Sequence, residues 1–194
     1  ADNDTQIIVT NGVREFLDQL DELTYTNYPT EEPFSGRVFK IRHDENGTRL
    51  TFIKALSGKL QVRDEVSYFN GNDTVKEKVT QIRAYNGQKF NIVQEASAGE
   101  LLAVVGLSEA TVGDGVGLLT EKAQYDMIPT LRSKVIINSK IHMKEALRCF
   151  RLLDAENPSL HVTWEEQMQQ IHIHVMGTIQ LEVLKQLIRD RFQF

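Results

Sequence analysis

Basic residues are the largest group of chemically capable side chains in this 194-residue sequence, and many of them are clustered. From residue 132 to residue 151 there are six Lys and Arg residues and one acid, Glu145. Four of the six follow spacings of four, four and three, which places them on one face of a helix: Lys140, Lys144, Arg148 and Arg151. A solvated helix face is the ordinary explanation of such a stripe. Because the stripe lacks the alternating acids that stabilise a surface helix, we favour binding to a polyanion or to an acidic protein surface.

A second basic cluster lies among short alternating segments, between residues 37 and 63. It consists of Arg37, Lys40, Arg42, Arg49, Lys54, Lys59 and Arg63, with Asp44, Glu45 and Asp64 nearby. Side chains alternate across a strand, so Lys40 and Arg42 share one face. A few such cations can position a protein on phosphates without reading a base sequence. We take Arg42, Lys54, Lys59 and Arg63 as candidate contacts of this kind.

The histidines and the single cysteine do not point to catalysis. His172 and His174 are two residues apart on a predicted strand, and His161 lies on the predicted neighbouring strand. Imidazoles bind zinc, but no carboxylate or thiol stands at ligand spacing, so the polar face of a half-buried strand explains them better. Cys149 falls on the inner side of a predicted helix and is expected to be a packed, inert thiol. We predict neither a metal site nor a catalytic residue.

Glycine-rich phosphate loops are missing as well. The sequence contains no G-x-x-x-x-G-K-[ST] phrase, which nucleoside triphosphate hydrolases use to surround phosphate. Gly113, Gly115 and Gly117 alternate as in a dinucleotide loop, but no helical pattern follows them. A turn between strands therefore explains these glycines better, and we expect no cofactor in this chain.

Changes in periodicity along the sequence divide the chain into three parts. Ile7 to Leu23 begins with a short apolar run and continues with apolar residues at helical spacing from Val13 onward, which predicts a short amphipathic helix. Residues 24–35 hold two prolines and no period, as in a linker. From residue 36 to residue 120, short β-branched runs alternate with Asn-Gly and Ser-Gly turns, which predicts a closed or nearly closed β-barrel. We predict a terminal helix with linker over residues 1–28, a barrel over 29–122 and a further domain over 126–194.

The last of these parts has the order strand, helix, strand, strand, helix. The predicted elements are a strand over residues 130–138, a helix over 141–155, strands over 160–164 and 170–175, and a helix over 178–192. Inner positions of the last helix are predicted to be Ile179, Val183, Leu184, Leu187 and Ile188. This βαββα order is the ferredoxin-like split βαβ fold without its closing strand.

Composition is compatible with a soluble protein of a reducing compartment. One cysteine cannot form an internal disulfide, and the first residues lack the basic and apolar segments of a signal peptide, so a cytoplasmic location is expected. The formal charge of −5 is uneven, because residues 1–32 hold eight acids and one base. The rest of the chain is slightly basic.

Several segments together resemble the middle of a translational GTPase of the elongation factor G group. NGVREFLDQL resembles the last helix of the GTPase domain; FSGRVFKI, RLTFIKALSGKLQVRDEV and EASAGELLAVVGLSEATVGDGVG resemble the second-domain barrel; KEALRCFRLLDAENPSLHV and IHIHVMGTIQLEVLKQLIRDRF resemble the third domain. Elongation factor G has histidine in the Gly-x-x-His-x-Glu phrase, where this chain has Gln180. That glutamine is more similar to tetracycline-resistance ribosomal protection proteins, which we rank before an elongation factor G variant and a class-3 release factor.

The resemblance implies a role and a set of partners. It implies ribosome binding, with the barrel on small-subunit ribosomal RNA, and a third domain that reorients about a flexible stretch from Tyr125 to Pro129. GTP and Mg²⁺ are expected in a preceding GTPase domain of a longer protein, which Glu182 is a candidate to contact. Later domains of that protein are further expected partners, and neither membrane nor DNA is. A self-contained hydrolase and a non-ribosomal adapter are the alternatives.

Overall fold

The computed structural model describes residues 3–24, 26–71, 73–123, 129–137 and 141–193, with side chains in the first helix from residue 12 to residue 23. This helix, α1, spans Asn3–Thr24 and so begins four residues before the predicted segment, which starts at Ile7. Phe16 and Leu23 of its apolar stripe are 64% and 84% exposed. The stripe thus contributes to neither of the two hydrophobic cores described below.

Ten short strands form the barrel. They are β1 Ser35–His43, β2 Arg49–Ser57, β3 Lys59–Gln61, β4 Glu65–Phe69, β5 Thr74–Lys78, β6 Gln81–Asn86, β7 Lys89–Val93, β8 Glu95–Ser97, β9 Leu101–Val105 and β10 Gly115–Gly117. Eight make an antiparallel sheet in the order β5-β4-β10-β1-β2-β9-β6-β7, and β3 pairs with β8. Inward side chains, with Ile41, Tyr68 and Ile82 among the largest, form one buried core.

An irregularity in β1 decides which of its residues face outward. The register of β1 against β2 shifts between Val38 and Lys40. Val38 and Ile41 are fully buried, whereas Phe39 and Lys40 are both exposed. A β-bulge places one extra residue on a strand and so allows two successive side chains on the same side. The bulge therefore puts Phe39, Lys40 and Arg42 together on the outer surface.

The linker before β1 packs closely on the barrel at Gly58. The Gly58 amide donates to Pro29 O at 2.8 Å, and a Cβ at Gly58 would lie 2.3 Å from Glu32 O. Gly58 also has a φ of +67°, which favours glycine. The Ser57-Gly58 turn predicted from the sequence is thus also the point where the linker is held.

The α+β domain consists of β11 Leu131–Lys134, α2 Met143–Glu156, a 3₁₀ turn at Pro158–Leu160, β12 Thr163–Glu165, β13 Gln170–Val175 and α3 Thr178–Phe192. Its antiparallel sheet has the order β11-β13-β12. Ala146, Phe150 and Leu153 of α2 pack with Ile171, Ile173 and Val175 of β13 in a second core. The barrel followed by a βαββα domain is the fold class that the sequence predicts.

Three local predictions are wrong. β11 ends at Lys134, not at residue 138, and His161 has a left-handed φ of +40° after the 3₁₀ turn, so it does not lie on a strand. In α3, Ile179, Val183 and Leu187 are exposed, whereas Leu184 is buried and Leu181 and Ile188 pack on the core. This helix has apolar residues on two adjacent faces, and the sheet covers only one of them.

The stretch predicted to be flexible between the barrel and the α+β domain lies outside the described residues except for Pro129. None of the helices within the described ranges combines the length and the apolar character needed to cross a bilayer.

Candidate functional site

Three cations of the predicted helical stripe lie on the outer face of α2. Lys144, Arg148 and Arg151 are exposed, and the opposite face buries Ala146, Phe150 and Leu153. None of the three cations forms an ion pair with another described residue. We call them the α2 stripe. Lys140, the fourth predicted member, lies outside the described residues.

Part of the barrel's basic cluster is used by the barrel itself. Arg37 donates to Gly113 O at 2.9 Å and to Glu121 O at 2.6 Å, and Arg49 donates to the carbonyl oxygen of Ala110. Lys54 donates to Gly99 O and holds its Nζ 4.6 Å from the centre of the Tyr28 ring. These three side chains therefore hold turns and the linker in place.

The remaining cations of that cluster are exposed. Lys40 and Arg42 lie on the outer face of β1. Lys59 is half exposed, with its Nζ 3.6 Å from a Glu95 oxygen. Arg63, between β3 and β4, is exposed and has a φ of +82°. Of the four predicted barrel contacts, Arg42 and Arg63 thus remain available, Lys59 is partly neutralised, and Lys54 has a structural task.

Sequence reasoning missed an aromatic row beside Lys40 and Arg42. Ring centres lie 6.1 Å apart for Phe39–Phe52, 5.3 Å for Phe52–Tyr85 and 5.4 Å for Tyr85–Phe90. Lys40 is the cross-strand partner of Phe52. The end rings Phe39 and Phe90 are 39% and 42% exposed.

Small and charged side chains complete this surface. Ala103 on β9 lies opposite both Phe52 and Arg83, so its small side chain leaves room for rings from β2 and β6 to meet. The Arg83 guanidinium lies 4.5 Å from the Phe90 ring centre and 3.2 Å from an Asp44 oxygen. The alternating pattern of the predicted strands was the sequence feature that could have indicated these outward rings. Only the bulge and the order of the strands in the sheet bring the rings together.

The open side of the α+β sheet carries the histidines. His172 lies opposite Lys134 and Thr163, and His174 lies opposite Arg132. The His174 and His161 ring centres are 5.2 Å apart. Among the described residues no three His, Cys, Asp or Glu side chains converge as metal ligands would. Glu165 lies 3.8 Å from Arg132 and 3.7 Å from the Nδ1 of His172, so the face is polar and mixed in charge.

Cys149 and Glu182 are two further residues that the sequence analysis singled out. Cys149 is half-buried, and burial raises the pKa of its thiol, which disfavours the reactive thiolate. Glu182, the predicted contact to a GTPase domain, is exposed on α3.

Gln180, the glutamine used to compare families, has a structural role at the start of α3. Its side-chain oxygen accepts a hydrogen bond from the Met176 amide at 2.8 Å. Met176 precedes Gly177, the N-cap residue of α3, which has no side-chain cap. Gln180 therefore joins the segment that leads into α3 to the first turn of the helix.

One polar network in the barrel is structural. The Tyr68 hydroxyl donates to Glu77, whose carboxylate also accepts from the amide and hydroxyl of Ser108. Burial, together with the bond to Glu77, raises the pKa of Tyr68. The network joins β4, β5 and the turn after β9.

Comparison with known proteins shows what this chain is similar to. Residues 33–117 match the family model of elongation factor G domain 2. The chain is 25% identical over 184 residues to tetracycline resistance protein TetP of Clostridium perfringens, which covers 93% of this chain and 28% of that protein.

Elongation factors match to a similar degree. Identity is 28% over 159 residues to elongation factor G 2 of Syntrophus aciditrophicus (strain SB), covering 79% of this chain and 23% of that protein. It is 28% over 168 residues to elongation factor G of Orientia tsutsugamushi (strain Boryong), covering 84% and 23%. The chain spans about a quarter of the length of these relatives. The predicted resemblance is confirmed, and the identities do not separate its two branches.

Proposed function

Starting from residues 33–117 as an elongation factor G domain 2, we propose that this chain is a ribosome-binding part of a translation factor. Within that group we favour the tetracycline-resistance ribosomal protection type. The observation that carries the proposal is the order of the matching segments, because relatives of both branches cover 79–93% of the chain. The preference for the protection type rests on TetP, which covers the larger share, and on Gln180.

The available cations supply the chemistry for binding. Lys40, Arg42 and Arg63 on the barrel, and the α2 stripe, present accessible positive charge. Contacts of this type to phosphates hold a protein in register and weaken as salt rises. We propose small-subunit ribosomal RNA as the partner of the barrel surface.

In this proposal the chain itself neither binds nor hydrolyses GTP. Its sequence lacks the phosphate-loop phrase, and we propose that GTP and Mg²⁺ act in another domain of a longer cytoplasmic protein. A fluorescent GTP analogue titrated with the chain should show no saturable binding. Saturable binding or GTP hydrolysis by the chain would support the hydrolase alternative.

Sedimentation with purified ribosomes tests the main proposal. The chain should pellet with ribosomes at low salt and dissociate as salt is raised. Reversing Arg148 to Glu should weaken binding, and the matched control Lys185→Glu, on α3, should not. Salt-insensitive binding, or stable binding to a non-ribosomal protein instead, would contradict the proposal.

Flanking coding sequence and growth tests address the finer assignment. A phosphate-loop phrase upstream and further domains downstream are expected. The complete gene should raise tetracycline tolerance of a sensitive strain if the protein is of the protection type. Unchanged tolerance, with normal ribosome binding, would favour elongation factor G or a release factor.

A further inference from the structure

One carboxylate joins the barrel to both helices of the α+β domain. Glu156, the last residue of α2, accepts hydrogen bonds at 2.9 Å from the amide and from the Nδ1 of His43, at the end of β1. Its two oxygens also accept from Arg191 near the end of α3, at 2.7 and 2.9 Å. The His43 and Glu156 side chains are 13% and 17% exposed.

The electrostatics favour an ionised Glu156. Burial opposes the charge, but the hydrogen bonds from Arg191 and His43 outweigh it and lower the pKa of this carboxyl group. A two-pronged guanidinium–carboxylate pair also restricts orientation, because both bonds must form together. Arg191 of α3 thus orients the Glu156 carboxylate toward His43 of β1.

The stability of α2 itself does not explain why an acid, Glu156, lies at its last position. A negative charge in the last turn of a helix is unfavourable by about 0.3–1 kcal/mol, and α2 has no basic residue in that turn. The cost is offset only by contacts outside α2. Glu156 therefore acts in tertiary structure, between elements.

The hydrophobic cores do not join the two units. In the part of the chain that the structure describes, the barrel core and the α+β core share no residue. α2 packs against β1 at the point where Glu156 meets His43. A polar contact between separately packed bodies is directional, since a small rotation breaks its bonds.

We propose that Glu156 is a latch that sets the orientation of the α+β domain on the barrel, and that this domain turns when Glu156 releases His43. The latch does not depend on what the chain binds. If the proposed ribosome binding holds, the latch also fixes the α2 stripe relative to Lys40 and Arg42, so that both surfaces dock as one rigid unit.

Distance measurement on the whole chain tests the latch. Spin labels are attached at Lys76→Cys on β5 and Gln167→Cys after β12, both exposed, in a Cys149→Ala background. The reference should give one narrow interspin distance distribution. Glu156→Ala should shift and widen it, and His43→Ala, which removes the imidazole donor but keeps the backbone amide donor, should widen it less. Glu182→Ala, which removes an exposed acid on α3, should leave it unchanged.

His43→Ala keeps the test valid if Glu156→Ala unfolds the α+β domain, because the bonds between Glu156 and Arg191 stay intact. Circular dichroism should show native secondary structure in His43→Ala. Distributions in both folded variants that match the reference would overturn the latch. A reference that never binds ribosomes would instead contradict the proposed function and leave the distance result standing.

Discussion

At the scale of single residues, Glu156 links the chain's shape to pH. Its pKa is lowered by bonds that only the carboxylate can accept, so this stabilisation is complete above the ordinary glutamate pKa of about 4.3. It is lost as the pH falls below that value and through the lowered pKa of the folded state. The titratable or charged groups that face Glu156 are His43 from β1 and Arg191 from α3.

We therefore predict that acidification widens the interspin distance distribution described above. The change should develop below about pH 4.3, the ordinary glutamate pKa, because the pKa of Glu156 is lowered in the latched chain and its carboxylate protonates only at lower pH. Glu156→Gln is the control, because it cannot titrate and should respond much less over the same range. Equal responses of both chains would assign the effect to other carboxyl groups.

Lys54 and Lys40 have different roles, although the sequence alone suggests that both are surface cations. Lys54 is held by Gly99 and Tyr28, whereas Lys40 is exposed beside Phe52. Lys54→Ala should lower the free energy of unfolding by about 1 kcal/mol, as measured by urea denaturation, and Lys40→Ala should not. Ribosome sedimentation should show the reverse ranking.

At the scale of elements, the close packing of the linker on the barrel depends on Gly58. Gly58→Ala should destabilise the chain through its positive φ and through collision of Cβ with Glu32 O. Gly47→Ala is a matched control, since Gly47 has a φ of +77° and an open site. Thermal denaturation should show a loss of about 1 kcal/mol for Gly47→Ala and a clearly larger loss for Gly58→Ala. Equal losses would mean that the linker shifts to make room for the added Cβ at position 58.

Periodicity predicted the elements well and their surroundings less well. Alternating residues and Asn-Gly or Ser-Gly turns were enough to predict a barrel, and helical spacing found α2 with its buried Ala146, Phe150 and Leu153. Spacing alone could not choose between the two apolar faces of α3, because the choice depends on the sheet below it. The same limit applies to α1, whose exposed stripe contributes to neither core.

Sequence reasoning also identified the site's cations but not which of them are available. Arg37 binds Gly113, 76 residues away, and Arg49 binds Ala110, 61 residues away. Such pairs arise from the order of strands in the sheet, which periodicity does not contain. The aromatic row and the latch depend in the same way on the bulge in β1 and on the packing of α2.

At the scale of the whole molecule, two separately packed units each carry exposed cations, and the latch holds them in one arrangement. Arg42 on the barrel and Arg148 on α2 are exposed and far apart in sequence. Each reversal to Glu should remove counterion release at its own phosphate, which lowers the salt slope of binding by about 0.7–0.9 for every phosphate that is no longer neutralised. Because distant sites act independently, the effects should add in the double variant.

Ribosome affinity measured at several salt concentrations for Arg42→Glu, Arg148→Glu and the double variant checks this prediction. Phe90→Ala supplies a contrast, because removing a ring from the aromatic row removes no charge: any weakening of affinity should leave the salt slope unchanged. With Glu156→Ala added, the two surfaces are no longer held together and either can bind without the other. Each single reversal is then partly compensated by the intact surface, so the double variant should weaken by more than the sum of the single effects. Additive effects in that unlatched background would mean that both surfaces still dock together, without a fixed orientation between the barrel and the α+β domain.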